Sequence, residues 1–304
     1  MRTETVDLST VRPASRAEAG MRPAKIYMIL CPSFHGATLL SLVLCNHSRL
    51  YSLGDTIPPR SFLSNRCGCG ETFIACPFWQ RVRAVVGDDD ETDLIPTRPR
   101  ITRWEPLNTA LVIGLSLAAV RLGVAAPRGA FARANERFLQ VCSEFAEFDV
   151  FIDGYKSLSR YVALKAARFP IAGVIHLIRD PLSFAASAKR SRLPIENAAR
   201  QWAQLHRAIP VITRWAGERV FRIRYEDLCA QPDRELDNLQ SWMGLSAEDL
   251  KRPIEKDVHW IGNVSMINFD GQIRMPNAGI DLTPEERRIV HRITSKRARE
   301  FGYV

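Results

Sequence analysis

Arg179 and Ser187 lie eight residues apart in the segment VIHLIRDPLSFAAS, Val174 to Ser187, where an apolar run meets an Arg-Asp-Pro turn and a serine-bearing helix. That order suits the holding of an anion such as a phosphate. Val174 to Ile178 reads as a buried parallel strand, and Pro181 fits the first turn of a helix, where a missing N–H costs nothing. Arg179 then sits at the strand's carboxyl end. Eight residues make about two helical turns, so both side chains meet one ligand only if the strand end folds back over the helix. A second strand-to-helix turn lies near the N-terminus. There Ile26 to Leu30 is apolar, Cys31-Pro32-Ser33-Phe34-His35-Gly36-Ala37-Thr38 forms a turn, and Leu39 to Leu44 is apolar again. A turn that opens a helix presents unpaired N–H groups and the positive end of the helix dipole to an anion. Gly36 permits close approach of the backbone, and Ser33 and Thr38 add hydroxyl donors. The turn lacks the GxxxxGKS/T spacing and contains no lysine, which disfavours an ATP-hydrolysing P-loop enzyme. Two anion-binding turns on one sheet suggest a nucleotide that carries phosphates at both ends.

The elements that must position these turns alternate along the chain. The sequence predicts a strand at 26–30, a helix at 36–46, a short strand at 50–53, and an irregular and helical insert at about 60–147. A strand at 148–152, a helix at 157–168, a strand at 173–178 and helices from 182 onward follow, then a strand at 220–224 and helices at 234–243 and 284–300. Such alternation predicts an α/β fold, P-loop-like and three-layered (α/β/α), with a central parallel sheet flanked by helices and ligands gathered at the strands' carboxyl ends. No long Gly/Ser linker divides the chain, and 304 residues with 46% hydrophobic content can bury a large core. Residues 23–304 are therefore expected to form a single domain behind a disordered extension at 1–22, which has no apolar segment of the signal-peptide kind. The insert carries no assignable motif and is expected to cover the acceptor.

Further segments join the two turns in a recognisable order. They are the LGD segment Leu53 to Asp55, CGCGETFIACPFW from Cys67 to Trp79, DGYKSLSR from Asp153 to Arg160, IRYEDL from Ile223 to Leu228, and HWIGNVSMI followed by DGQIRM near the C-terminus. Together with SFHGATLL and IHLIRDPLSFAAS they resemble the sulfotransferases that use 3'-phosphoadenosine 5'-phosphosulfate (PAPS), in the bacterial branch related to tyrosylprotein and carbohydrate sulfotransferases. The resemblance covers most of residues 25–304. It implies transfer of a sulfuryl group from PAPS to a hydroxyl of a small molecule, sugar or glycolipid, with no metal required. The 5'-phosphosulfate would lie on the turn Ser33, Phe34, His35, Gly36, Ala37 and Thr38, and the 3'-phosphate on Arg179 and Ser187. Tyr225 resembles the family's cofactor-side tyrosine, with capping or packing as its alternative, and Arg274 is a candidate second ligand of the 3'-phosphate, with a surface salt bridge as its alternative. The competing readings are a non-catalytic nucleotide-binding relative and a P-loop-type kinase.

The chain departs from the family where a cation is usual. Relatives read Arg or Lys, then Ser, then Gly in the first turn, whereas this chain reads Phe34, His35, Gly36. Sulfuryl transfer, like phosphoryl transfer, requires positive charge near the leaving oxygen, so the charge must come from elsewhere. Lys156 is the first candidate, because it follows the strand at 148–152 and would project from that strand's carboxyl end. His35 is the second, if protonated. The acceptor hydroxyl must also lose a proton. Asp55 matches the position of a family glutamate that resembles such a base, and it lies in a loop bounded by Gly54 and Pro58-Pro59. His35 competes for this role too.

Composition bounds the partners. The net charge of +9 suits polyanionic ligands or an acidic surface, but the basic residues are dispersed among acids and form no basic run with interleaved aromatics, so nucleic-acid binding is not expected. Of seven cysteines, Cys67, Cys69 and Cys76 form the only cluster, and their spacing lacks the paired CxxC of a structural zinc site. Reduced thiols in a substrate-side loop of a cytoplasmic enzyme are expected; zinc with a fourth ligand such as His47, or a disulfide, are the alternatives. The apolar stretch 110–126 contains Arg121 and is short for a membrane span, so it is read as a buried or groove-lining helix. Docking of that helix on a membrane, to reach a lipid-linked acceptor, is the alternative. The sequence gives no oligomeric state.

Overall fold

The computed structural model describes residues 25–56, 65–86, 95–126, 129–254, 259–262, 266, 269–274 and 282–303. The N-terminal extension 1–22, Pro58-Pro59 and parts of the C-terminal motif lie outside the described residues. Five parallel strands form one sheet in the order β2-β3-β1-β4-β5, with β1 Lys25–Leu30, β2 Leu50–Ser52, β3 Val150–Asp153, β4 Ile171–Ile178 and β5 Val220–Arg224. β1 is central. It pairs Ile26 with Phe151 on one side and Met28 with Val174 on the other. Parallel strands covered on both faces read as continuous apolar runs, which is why MIL in β1, VFI in β3 and VI in β4 are all buried.

The pleat divides β1 between two cores. Ile26, Met28 and Leu30 join α2 (Pro77–Val86), α4 (Ala130–Phe145) and α5 (Leu158–Ala166) through Phe78, Trp79, Phe138, Val141, Tyr161 and Val162. Tyr27 and Ile29 face α1 (Ala37–Leu44) and α9 (Pro232–Met243) through Leu40, Val43, Leu236 and Leu239. Beyond β4, α6 (Pro181–Arg190), α7 (Ile195–Trp215) and α10 (Pro284–Glu300) pack around Phe184 and Trp202. α8 (Tyr225–Ala230) starts directly at the end of β5.

The insert adds to the core. Phe78, Trp79 and Phe138 are fully buried, so α2 and α4 supply one covering layer of the sheet. α3 (Glu105–Leu122) departs from expectation. Only Asn108, Val112 and Ser116 on it are buried, while Leu107, Leu115 and Leu122 are exposed. Its apolar residues surround the helix almost evenly, so local pattern could not say which face would be covered. α3 alone among the described helices is long and apolar enough to cross a membrane. Its C-terminal end, with Ala119 and Val120, lines a cavity of about 280 Å³ together with Lys165 and Ile171. That cavity opens at the amino end of β4, opposite the strand ends where the motifs gather.

Phe138→Ala is expected to cost about 3–5 kcal/mol in urea unfolding, the usual cost of emptying a buried aromatic position. A loss below about 1 kcal/mol would mark the insert as a lid on an already complete core.

Candidate active site

The turns after β1, β3 and β4 open on one edge of the sheet, and three pieces of backbone chemistry bring them together. The first is a glycine crossing. A Cβ on Gly154 would lie 1.9 Å from the Gly54 carbonyl oxygen, and one on Gly54 would lie 2.1 Å from the Ile261 carbonyl oxygen. Only glycines allow these three backbones to meet. Asp55 N–H donates to Ile261 O (2.9 Å), and Gly154 N–H donates to Thr56 Oγ1 (2.9 Å), so the loops after β2 and β3 are locked side by side.

The second is the ion pair that this crossing delivers. Lys156 Nζ donates to Asp55 Oδ1 at 2.5 Å, and Thr38 Oγ1 donates to that same oxygen at 3.0 Å. Both contacts use Oδ1, which leaves Oδ2 without a described partner. Lys156 holds a left-handed conformation, φ 67°. For a non-glycine residue this backbone is costly, and it persists here because neighbours fix the loop on both sides. Asp153 ends β3 in a buried ion pair with Arg160 (2.8 Å) and accepts Tyr155 N–H, and Ser157 caps α5. Asp55, Lys156 and Thr38 are thus brought together. The Lys156 ammonium is not a solvated surface group, since its side chain is only 16% exposed.

The third is Arg179. Its Nη1 donates to Phe34 O at 2.6 Å, its guanidinium lies 5.3 Å from the Tyr225 ring centre, and its backbone carbonyl accepts Trp202 Nε1–H at 2.9 Å. Burial pushes the guanidinium's pKa down. Its Nε has no hydrogen-bond partner, and no described carboxylate forms an ion pair with it. Arg190, on α6, donates to Ser187 Oγ (3.0 Å) and is among the charges that act on Arg179. Arg190 thus links Ser187 to the electrostatic surroundings of Arg179.

The turn after β1 has an open helix start. Gly36, the N-cap of α1, has φ 86° and makes no side-chain cap, so Ala37, Thr38 and Leu39 have no intrahelical acceptor for their N–H groups. A Cβ at Gly36 would lie 2.3 Å from the Tyr225 ring. Ser33 and Phe34 are exposed, and Phe34 is itself left-handed, φ 63°. The Tyr225 hydroxyl lies 3.5 Å from Arg274 O and also meets the Cys229 thiol. Arg274 does not join Arg179, because its guanidinium is exposed and paired with Asp270.

His35 departs most from expectation. It is fully buried and turned away from the strand-end crevice. Its Nδ1 lies 3.0 Å from Ser33 O, its Nε2 lies 3.0 Å from His206 Nε2, and His206 Nδ1 lies 2.9 Å from His176 Nε2. The Ser33 carbonyl can only accept, so Nδ1 of His35 carries a proton. His206 then donates to His35, and His176 donates to His206, fixing three neutral tautomers in one direction. Desolvation is the main cause that pushes His35 and His176 each down to about 3, with Arg179 and His176 acting on His35, and Arg222 and Arg297 on His176. Burial likewise holds His206 well below its usual value. His35 therefore supplies no positive charge to the turn. Its partners come from α7 and β4, 171 residues away for His206, and no local signal announced them.

The cysteine cluster is also assembled at long range. Cys67, Cys69 and Cys76 converge, and the fourth side chain beside them is His259. His47 lies elsewhere, with Nε2 at 3.0 Å from Ser246 O.

The sequence model of the Sulfotransferase family matches residues 90–249, more than half of the chain, including Lys156, Arg179, Ser187 and Tyr225. No curated protein sequence matches the chain. Among solved structures, the chain is similar to the sulfotransferase domain from the Curacin biosynthetic pathway, at 18% identity over 93% of this chain and 99% of that one, TM-score 0.46. It is also similar to the sulfotransferase domain from the Synechococcus PCC 7002 olefin synthase, at 16% identity over 94% and 98%, TM-score 0.46. A third is sulfotransferase STF9 from Mycobacterium avium, at 16% identity over 93% of this chain and 78% of that one, TM-score 0.46.

The histidine chain sets a pH dependence. Unfolded histidines take up protons as pH falls through about 6.5, whereas the folded ones do so only near 3. The stability they contribute is complete above pH 6.5 and is lost as pH falls from 6.5 toward 3, at about 1.4 kcal/mol per pH unit for each histidine. Urea unfolding at pH 7 and pH 5 is expected to show this loss, and His176→Gln, which keeps the donor at the Nε2 position, to lessen it. Equal stability of the wild type at both pH values would contradict the neutral chain.

Proposed function

This chain belongs to the sulfotransferase family, and from that premise we propose that it moves a sulfuryl group from PAPS to the hydroxyl of a small-molecule, sugar or glycolipid acceptor. The observation that carries this reading is the buried Arg179, a cation with no carboxylate partner, joined through Phe34 O to the open start of α1. A buried charge without an ion-pair partner is costly, and an anion at this point would relieve it. The orphaned Nε and the uncapped N-terminus fit the two ends of a nucleotide that carries a phosphate on one side and a phosphosulfate on the other. Arg179, Ser187 and Arg190 would hold the former, and the N–H groups of Ala37, Thr38 and Leu39 the latter.

PAPS, when bound, supplies the activated sulfuryl group; the rest is the work of this chain's own side chains. Lys156 takes the place of the cation missing at Phe34 and offers positive charge to the leaving oxygen. Asp55 is held through Oδ1 by Lys156 and Thr38, and its unengaged Oδ2 accepts the proton of the acceptor hydroxyl. Thr38 fixes the carboxylate's rotation by binding Oδ1 alone. His35 holds the turn from beneath as a neutral positioning residue.

Binding and turnover test this in one series. 3',5'-Adenosine bisphosphate without magnesium is expected to raise Tm by about 5 °C at saturation, and Arg179→Gln to remove the shift. With labelled PAPS and an acceptor found by mass spectrometry, Lys156→Ala is expected to lower kcat about 100- to 1,000-fold, and Asp55→Asn at least 100-fold, with the thermal shift retained. A shift caused by ATP with magnesium and not by the bisphosphate would indicate a kinase. A bisphosphate shift with no transfer to any acceptor would indicate a binding protein.

A further inference from the structure

Cys67, Cys69, Cys76 and His259 converge so that one donor atom from each lies within 4.8 Å of every other. Cys76 Sγ is 3.7 Å from both Cys67 Sγ and Cys69 Sγ, and His259 Nδ1 is 3.2 Å from Cys76 Sγ and 4.0 Å from Cys67 Sγ. All three thiols are free, and these separations are far longer than the roughly 2.05 Å of a disulfide. They match a different object. Four ligands on a tetrahedron with metal–sulfur bonds of about 2.3 Å put the sulfurs about 3.8 Å apart, and a histidine nitrogen at about 2.05 Å lies about 3.5 Å from each.

The surroundings hold the four side chains in place. Cys67 and Cys69 sit in a tight turn closed by the Arg66–Thr72 bridge and by Cys67 N–H donating to Glu71 O (2.7 Å). Cys76 precedes α2, at the positive end of that helix. His259 is held by stacking on Phe78 at 5.2 Å and by the edge of Phe145. Cys67 and Cys76 are buried and Cys69 is half-buried, so the cluster is no open reactive site.

We propose that these four side chains bind a structural zinc ion. Three thiolates and one imidazole in tetrahedral array select zinc, and four protein ligands leave no position for a substrate. The ion would act as a staple. It would fasten the C-terminal strand segment to the insert, where Gly68 N–H already donates to Trp260 O (3.0 Å). Two residues on, Ile261 pairs with Leu53 and Asp55, the loop that aims the carboxylate at Lys156. The expectation of free thiols is replaced by this assignment, and CxC spacing hid it because the fourth ligand lies 183 residues beyond Cys76.

Metal analysis of the full chain, purified from zinc-supplemented medium without a chelator, is expected to give about one zinc per chain. Cobalt exchanged into the protein should show the visible ligand-field bands of a tetrahedral, thiolate-rich site. His259→Cys should keep the metal, and His259→Phe, which preserves the stacking on Phe78, should lose it and lower Tm. Less than about a tenth of an equivalent of zinc, with none taken up by the reduced protein on zinc addition, would overturn the proposal. So would zinc retained in full by both His259→Phe and Cys69→Ser. The readouts are metal content and Tm, so they hold whatever the donor and acceptor prove to be.

Discussion

A buried arginine without a carboxylate governs this architecture. Arg179 leaves β4 where the sheet ends, loses its hydration, and spends one N–H on Phe34 O, one of the weaker partners a guanidinium can have. Its cation is held in place by Trp202 beneath the backbone and Tyr225 beside the plane. Each of these partners has a second duty: Trp202 fills the core under α6, and Tyr225 presses on Gly36 at the start of α1. The turn after β1, the turn after β4 and the start of α8 are therefore tied through one side chain. An anion is the one missing element that would balance it.

The second half of the site follows a different constraint, that of backbone proximity. Gly54 and Gly154 touch so closely that side chains are excluded, and Asp55 beside Gly54 enters an ion pair. Lys156 and Thr56, both left-handed, are products of this crowding. The result is a cation carried on the loop after β3 that meets Asp55 from the loop after β2. Phe34 is free to be apolar because its carbonyl and not its side chain meets Arg179.

Much of the fold was legible because its signals are local. The runs at 220–224 and 284–300 coincide with β5 and α10, the latter started by a Thr283–Glu286 capping box with Pro284 in its first turn. The two turns and the strand-end lysine were legible for the same reason: strand, small-residue turn and helix follow one another within a dozen residues. What the sequence hid is what long-range contact decides. His35 sits between Phe34 and Gly36 and reads as a crevice group until His206 and His176 are brought under it. α3 has the composition of a core helix but no side that distinguishes inside from outside. His259 belongs to the cysteines only through the path of a loop, 183 residues beyond Cys76.

The central claim is that the two turns hold the two ends of one nucleotide, and a crystal structure of the protein with 3',5'-adenosine bisphosphate tests it most directly. The account predicts the 5'-phosphate on the N–H groups at the start of α1, and the 3'-phosphate within hydrogen-bond distance of Arg179, Ser187 and Arg190. A nucleotide bound elsewhere, or bound here with Arg179 still donating only to Phe34, would contradict it.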